Sequence, residues 1–121
     1  MKALVFAAFS AATFLAANPA AAQFAPVQDP APGYSALMSA DYASAEREIR
    51  GAPVSKYDPA RSINLGIALA KTGQADRAAR QFQHVLMEQD VELVLANGET
   101  VMSHDVARRA LASLQNGALS R

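Results

Sequence analysis

A helix–glycine–helix pattern in residues 64–86 constrains the fold of this 121-residue chain more than any other feature. From Ala75 onward, apolar residues recur at i, i+3, i+4, i+7, i+10 and i+11, which is the spacing of an amphipathic helix. Gly73 stands just before this helix, where the preceding helix can close in a left-handed conformation. The pattern therefore predicts two helices folded back on each other, with Phe82 filling the space between them.

The first helix of the pair is predicted to be the central one. Asp58-Pro59 is a good start for it, because aspartate caps helix N-termini and proline suits the first helical position. Gly66 lies inside this helix at a cost of about 1 kcal/mol relative to alanine, so we expect another helix backbone to approach it closely. Two apolar stripes run along the helix, which indicates that neighbours cover it on two sides. One stripe holds Ile63, Ile67 and Ala70, and the other holds Ser62, Leu65, Gly66 and Leu69.

Several residues of this stretch occupy the positions that define a known repeat. They are Asn64, Leu65, Gly66, Leu69, Gly73, Ala78, Phe82 and Val85. On these residues the stretch resembles a tetratricopeptide repeat, whose period is about 34 residues. A shift of 33 residues also aligns a degraded half copy, with Gly33, Ala45 and Ile49 matching Gly66, Ala78 and Phe82. A repeat superhelix normally needs about three repeats, and only one full copy is present. We therefore expect a mainly α, compact helical hairpin with flanking helices, rather than an extended superhelix.

The resemblance also implies where a partner would bind. In the family, the first helix of each repeat lines a groove that binds peptides. In this sequence that candidate partner-binding face would present Ile63, Ile67, Ala70 and Lys71. Two interpretations stay open: the face is core beneath the preceding helix, or it is an apolar groove for a partner segment. We favour core, because so few repeats are present.

Residues 1–22 have the three parts of a secretory signal peptide: a basic start at Lys2, an apolar run over residues 3–17, and small residues before the cleavage point. A transmembrane anchor is the alternative. A membrane span needs about 20 apolar residues, however, and this run is shorter and is followed by Pro19. We therefore expect cleavage before Gln23 and an exported protein, periplasmic or secreted.

The composition after cleavage excludes several classes of protein. The sequence has no cysteine, so it has no lipid-attachment cysteine, disulfide framework or thiolate zinc site. Removal of Lys2 from the 11 basic residues leaves 10, against 11 acidic residues. The sequence has no basic stripe of the kind that indicates nucleic-acid binding. We expect one small domain without a cofactor, which is not bound to a membrane after cleavage.

The boundaries of that domain follow from proline, glycine and cap signals. Residues 23–33 contain three prolines and are predicted to be a disordered leader. Residues 34–50 look helical, with Ser39 as a cap and Gly51 as a left-handed closing residue. The domain is predicted to span residues 34–117, with a last helix over 103–116 and a frayed tail over 118–121.

Residues 91–102 are predicted to form a β-hairpin. Asn97-Gly98 separates two runs rich in Val, Leu and Thr, which is the strongest short-range hairpin signal. A two-residue turn would pair Leu95 with Thr100 and Leu93 with Met102. The face that we expect to be buried then holds Val91, Leu93, Leu95 and Met102, and the opposite face holds Glu92, Val94, Glu99 and Val101.

The sequence contains few candidates for catalytic or metal-binding residues. Ser103, His104 and Asp105 are the residue types of a catalytic triad, but adjacent helical residues point about 100° apart and cannot converge. We expect Ser103 to cap the last helix and Asp105 to favour its first turn. His84 is predicted to be solvated, and no metal-ligand spacing accompanies it.

The expected function is therefore non-enzymatic. Four arginines form a modest basic patch if the last two helices lie side by side, although a solvated face is the simpler interpretation: Arg77, Arg80, Arg108 and Arg109. The main hypothesis is an exported module that binds an unidentified protein or peptide. The alternative is a self-associating envelope protein, a weak homodimer that uses the hairpin edge or an apolar helix face.

Overall fold

The computed structural model of the chain describes residues 31–120, so the predicted signal peptide and residues 23–30 of the leader lie outside the described residues. Within this range the fold is mainly α with one β-hairpin, as predicted. None of its helices is long and apolar enough to cross a membrane. The elements are α1 (Tyr34–Met38), α2 (Tyr42–Gly51), α3 (Pro59–Lys71), α4 (Ala75–Met87), β1 (Glu92–Val94), β2 (Thr100–Met102) and α5 (Ser103–Gln115).

Helix α3 is the centre of the domain. It packs against α1, α2, α4 and α5, and every residue from position 62 to position 70 is buried. The helix begins as predicted, because the Asp58 carboxylate accepts the Arg61 backbone N–H at 2.9 Å. The approach to Gly66 differs from the prediction, since the ring of Phe82, rather than a helix backbone, lies against it.

The turn between α3 and α4 contains the left-handed glycine that the sequence predicts. Gly73 has φ of 80°, and its N–H donates to the Ala70 carbonyl. The Gln74 N–H donates to the Leu69 carbonyl at 2.8 Å, which completes a Schellman motif. This motif reverses the chain, so that the apolar stripe of α4 faces α3.

The N-terminal helices differ in their caps from the prediction. α1 and α2 are separate helices, and Asp41, not Ser39, caps α2 by accepting the Ser44 N–H at 3.2 Å. Ala40 takes the left-handed conformation between them, with φ of 58°. Gly51 is the last residue of α2 and does not close it in a left-handed conformation.

Both ends of the domain extend past the predicted boundaries. Pro32 and Gly33, the last two residues of the predicted leader, are buried and therefore belong to the folded domain. At the other end, Gly117 closes α5 with φ of 81°, as predicted. Leu119 is then only 1% exposed, and its N–H donates to the Ser113 carbonyl. The prediction of a frayed tail from residue 118 is therefore wrong at this leucine.

The hairpin exists, but its register differs by one residue from the prediction. Leu93 pairs with Val101 and Val94 pairs with Thr100. The loop has three residues rather than two, because Leu95 bonds to Glu99 and Gly98 takes φ of 85°. A one-residue shift moves the side chains of one strand to the other face. The buried residues are accordingly Leu93, Leu95 and Val101, and Met102 is exposed.

Candidate functional site

The face predicted to meet a partner lies inside the domain. Ile63, Ile67 and Ala70 are fully buried among the core side chains that fill the space around α3. The groove interpretation is therefore wrong for these three residues, and the core interpretation describes them. The physical reason is that α3 packs against four other helices, and Tyr42 of α2 lies over Lys71 of the same predicted face, so no groove is left open there.

Lys71 is the one member of that face that keeps some contact with solvent. Its Nζ is buried, has no hydrogen-bond partner within the described part of the chain, and lies 5.7 Å from the centroid of the Tyr42 ring. Burial disfavours the charged amine and lowers the pKa of Lys71. The cation–π contact offsets part of this penalty, because the ring face carries partial negative charge.

A second set of polar atoms on α3 was not singled out from the sequence. Asn64 is fully buried, and its Nδ2 donates to the Pro32 carbonyl at 2.9 Å. Among residues 31–120, its Oδ1 has no hydrogen-bond partner, and neither has the buried Nε of Arg61, one turn earlier. Asn64 was identified only as a residue that matches the repeat. Its contact joins positions 32 residues apart, so no local pattern could reveal it.

The residues with triad-like identities form a structural junction. Asp90 Oδ1 accepts the His104 backbone N–H at 2.8 Å and the Ser103 hydroxyl at 3.2 Å. The same hydroxyl accepts the Val91 N–H at 2.9 Å. The prediction that the Ser103 side chain caps α5 is therefore wrong. Asp90 performs that task from the preceding loop, and the His104 N–H bond is the main cause that lowers the pKa of Asp90.

Both ring nitrogens of His104 contact residues of this junction. Its Nε2 lies 2.7 Å from the Glu88 carbonyl oxygen, and its Nδ1 lies 3.9 Å from Asp90 Oδ2. Asp105 instead pairs with Arg108 at 2.8 Å, on the exposed side of α5. Ser103, His104 and Asp105 therefore do not converge on one reacting atom. Between residues 31 and 120, no group of three or more His, Cys, Asp or Glu residues is placed to hold a metal ion.

The arginines and His84 lie on the surface. Arg77 donates to the Gln74 side chain, and Arg109 donates to both carboxylate oxygens of Glu99 at 3.3 and 3.4 Å. These bonds from Arg109 are the main cause that lowers the pKa of Glu99. His84 is exposed, as predicted. With three of the four arginines engaged by neighbouring side chains, the patch is a solvated face.

Apolar side chains are exposed at one end of the domain. Val94 is 38% exposed and Met102 is 39% exposed, and the register places them as diagonal neighbours on the outer face of the hairpin. Met87, the last residue of α4, is 79% exposed. It lies at the same end, because the next residue, Glu88, contacts His104 just beyond β2. We call Met87, Val94 and Met102 the hairpin-end surface.

No family model, curated protein or solved structure matches this chain.

Proposed function

We propose that the protein is a non-enzymatic interaction module, exported from the cell, that binds another protein or peptide through the hairpin-end surface. The supporting observation is that the hairpin is anchored by one face while its opposite face exposes Val94 and Met102. Single exposed apolar residues are normal on proteins. Met38 and Tyr57 are exposed in this way elsewhere, whereas Val94 and Met102 are diagonal neighbours on the outer face of one sheet, which is a more specific feature.

The strands of the hairpin suit the addition of an extended segment. Within the described residues the sheet has only β1 and β2, so no third strand pairs with either outer edge. The Leu95 N–H donates to Glu99, and the Val91 C=O accepts from Ser103, so the backbone groups of both residues face the second strand of the hairpin. Backbone groups alternate in direction along a strand, so the N–H and C=O of Val94 face away from β2, at the outer edge of β1. An added strand would satisfy these groups. Methionine side chains adapt their shape to different partners, which favours binding at Met87 and Met102.

A second copy of the chain is the other candidate partner. The edges that accept a foreign strand also accept the same strand of another copy. The apolar helix face does not support self-association, because Ile63 and Ile67 are buried. Self-association would therefore use the hairpin, and light scattering at high micromolar concentration would reveal it as a dimer.

Site-specific photo-crosslinking tests both candidates. A photoreactive residue replaces Met102 in one variant and His84, exposed on α4, in the control. The proposal expects one discrete adduct from position 102 and none from position 84, and Val94→Lys in the first variant should abolish it. An adduct of twice the chain mass would identify self-association. Equal labelling from both positions, or none from position 102, would contradict the proposal.

Export is tested separately, by the mature N-terminus. The apolar run and small residues before Gln23 support cleavage at that position. Mass spectrometry of the chain isolated from the periplasm of a bacterial host should find a mature form that begins at Gln23. A full-length cytoplasmic chain would contradict the export part of the proposal without affecting the binding part.

A further inference from the structure

The outer edge of β1 is the less covered of the two edges of the hairpin. Strand β2 leads directly into α5 and also packs against it, whereas β1 packs mainly against β2. The N–H and C=O of Val94 face away from β2, toward this outer edge. An extended segment of a partner would therefore add to β1 rather than to β2.

The chain around β1 carries an excess of negative charge. From residue 85 to residue 107 the sequence has no lysine or arginine. The acidic residues of this stretch are Glu88, Asp90, Glu92, Glu99 and Asp105. Two of them pair with arginines of α5, because Arg109 binds Glu99 and Arg108 binds Asp105. The acidic residues on the β1 side are not balanced by arginine or lysine residues of the same stretch, and they give this edge its negative charge.

Three of these acidic residues stand at alternate positions that lead into β1. The backbone is extended at Glu88, with φ of −98° and ψ of 175°, and Glu92 is the first residue of β1. Alternate residues of a strand repeat every 6–7 Å or so, which is also the repeat of a strand laid beside it. Asp90 stays ionised at neutral pH, because its hydrogen bond with the His104 N–H lowers its pKa.

The acidic residues border the exposed apolar side chains. Glu88 follows Met87, and Glu92 lies opposite Met102 on the outer face of the hairpin. Val94 comes next along the same face of β1. A strand added at this edge would thus meet negative charge first and an apolar side chain after it.

A second copy of the chain does not complement this edge. Pairing of β1 with the β1 strand of another copy would bring together two sets of the same acidic residues. Like charges that face each other across neighbouring strands destabilise a sheet, whereas opposite charges stabilise it. The charge therefore favours a basic segment of a different protein.

We propose that the partner of the hairpin-end surface is a basic extended segment that adds to the outer edge of β1. Its lysine or arginine side chains lie beside Glu88, Asp90 and Glu92, and an apolar side chain lies against Val94. The proposal rests on the function proposed above and names the chemistry of its partner. Backbone hydrogen bonds supply affinity, and the alternating charges select the partner and its register.

Binding of synthetic peptides to the purified chain tests the charge. The probe alternates Lys and Val, and its control has Glu in place of every Lys. Fluorescence anisotropy at low salt should detect binding of the basic peptide alone, and its affinity should fall as salt is added, because salt screens exposed charges. Equal binding of both peptides, binding of neither, or an affinity that salt leaves unchanged would overturn the proposal.

A matched pair of variants tests the position of the charge. Glu92→Gln should weaken binding of the basic peptide roughly two- to fivefold, the effect of losing one cross-strand pair of opposite charges. Glu48→Gln is the control, because Glu48 is exposed on α2, which packs against α1 and α3. It should leave the affinity unchanged. An equal loss in both variants would overturn the proposal, since it would reflect net charge alone.

Hydrogen exchange locates the added strand. With the basic peptide bound, the Val94 amide should exchange more slowly, because it then donates to the new strand. The Thr100 amide, which faces the outer edge of β2, should be unaffected. Protection of Thr100 instead of Val94, or of neither, would overturn addition to β1.

Photo-crosslinking from position 102 separates this proposal from the function on which it rests. A discrete adduct whose partner segment has no basic residue would leave the interaction module standing and overturn the basic partner. An adduct of twice the chain mass would also overturn it, because the occupant would be a second copy. Absence of any adduct would overturn both.

Discussion

The ring of Phe82 lies directly against Gly66. A Cβ added to this glycine would stand 2.5 Å from Phe82 Cε1 and 2.7 Å from Cζ, closer than real Cβ atoms approach. Both residues are buried in the interface between α3 and α4. The glycine that weakens α3 as a helix is therefore what allows the largest core side chain to enter between the two helices.

The first prediction concerns this contact. Gly66→Ala adds about 1 kcal/mol of helix propensity but overpacks the core, which costs about 1–3 kcal/mol, so we expect a net loss of stability. Gly51→Ala is the control, because a Cβ at that helical position meets nothing within 4 Å. It should leave the urea midpoint unchanged or raise it. A Gly66→Ala variant as stable as Gly51→Ala would show that Phe82 moves freely.

The second prediction concerns the strained link between α1 and α2. Ala40 is the only described residue other than glycine with positive φ, at 58°. Ala40→Gly should raise the free energy of unfolding by about 1 kcal/mol, because glycine adopts this conformation without steric cost. Ala43→Gly, at an exposed position inside α2, should lower it by about 1 kcal/mol. Thermal unfolding compares the two, and the same sign for both would contradict the argument.

The third prediction concerns the register of the hairpin. Val101→Lys places a charge on the buried face and should lower stability by about 3 kcal/mol or more. Met102→Lys, on the exposed face, should change it by no more than about 0.5 kcal/mol. Urea unfolding of both variants measures the difference. The opposite order would support the two-residue turn that the sequence predicts.

The fourth prediction concerns Lys71. Its unpaired buried Nζ costs about 1–3 kcal/mol, whereas a cation–π contact at 5.7 Å contributes about 0.5–1 kcal/mol, so the penalty is larger. Lys71→Met should therefore stabilise the protein by about 1 kcal/mol. Lys56, exposed beside the Tyr57 ring, is the matched control, and Lys56→Met should have little effect. A loss of stability in Lys71→Met would show that the Tyr42 contact dominates.

The fifth prediction concerns acid sensitivity at the junction before α5. Hydrogen bonds from the His104 N–H and the Ser103 hydroxyl lower the pKa of Asp90 below its usual value. A carboxyl group of this kind stabilises the fold above its unfolded-state pKa and loses that contribution as pH falls through the folded-state pKa. Below about pH 4, the urea midpoint should fall less steeply in Asp90→Asn than in the unchanged chain. Identical pH profiles would contradict this role for Asp90.

Local signals predicted most of the helix boundaries correctly. Asp58-Pro59 begins α3, Gly73 closes it, and Gly117 follows α5, because caps and left-handed glycines act over a few residues of sequence. The hairpin was predicted for the same reason. Its register was not, because Gly98 fits both a two-residue and a three-residue loop, and the burial of Val101 against the helices selects between them.

The candidate face shows where prediction from sequence stops. Apolar spacing identified Ile63 and Ile67 as residues that need cover, but an internal interface and an external groove have the same pattern. The packing of the neighbouring helices around α3 makes these residues core. Asn64 with Pro32, and Asp90 with His104, could not be predicted, because each hydrogen bond joins residues far apart in sequence.

By itself, the sequence determined a mainly α domain built around the α3–α4 pair, with a hairpin before the last helix. Helical periodicity, caps and turn glycines act over a few residues of sequence, so the folded chain keeps the elements that they favour. Tertiary structure decided which side of each element is covered. Whether a side chain is core or surface depends on which distant segment packs against it, so Ile63 is core and Met102 is surface.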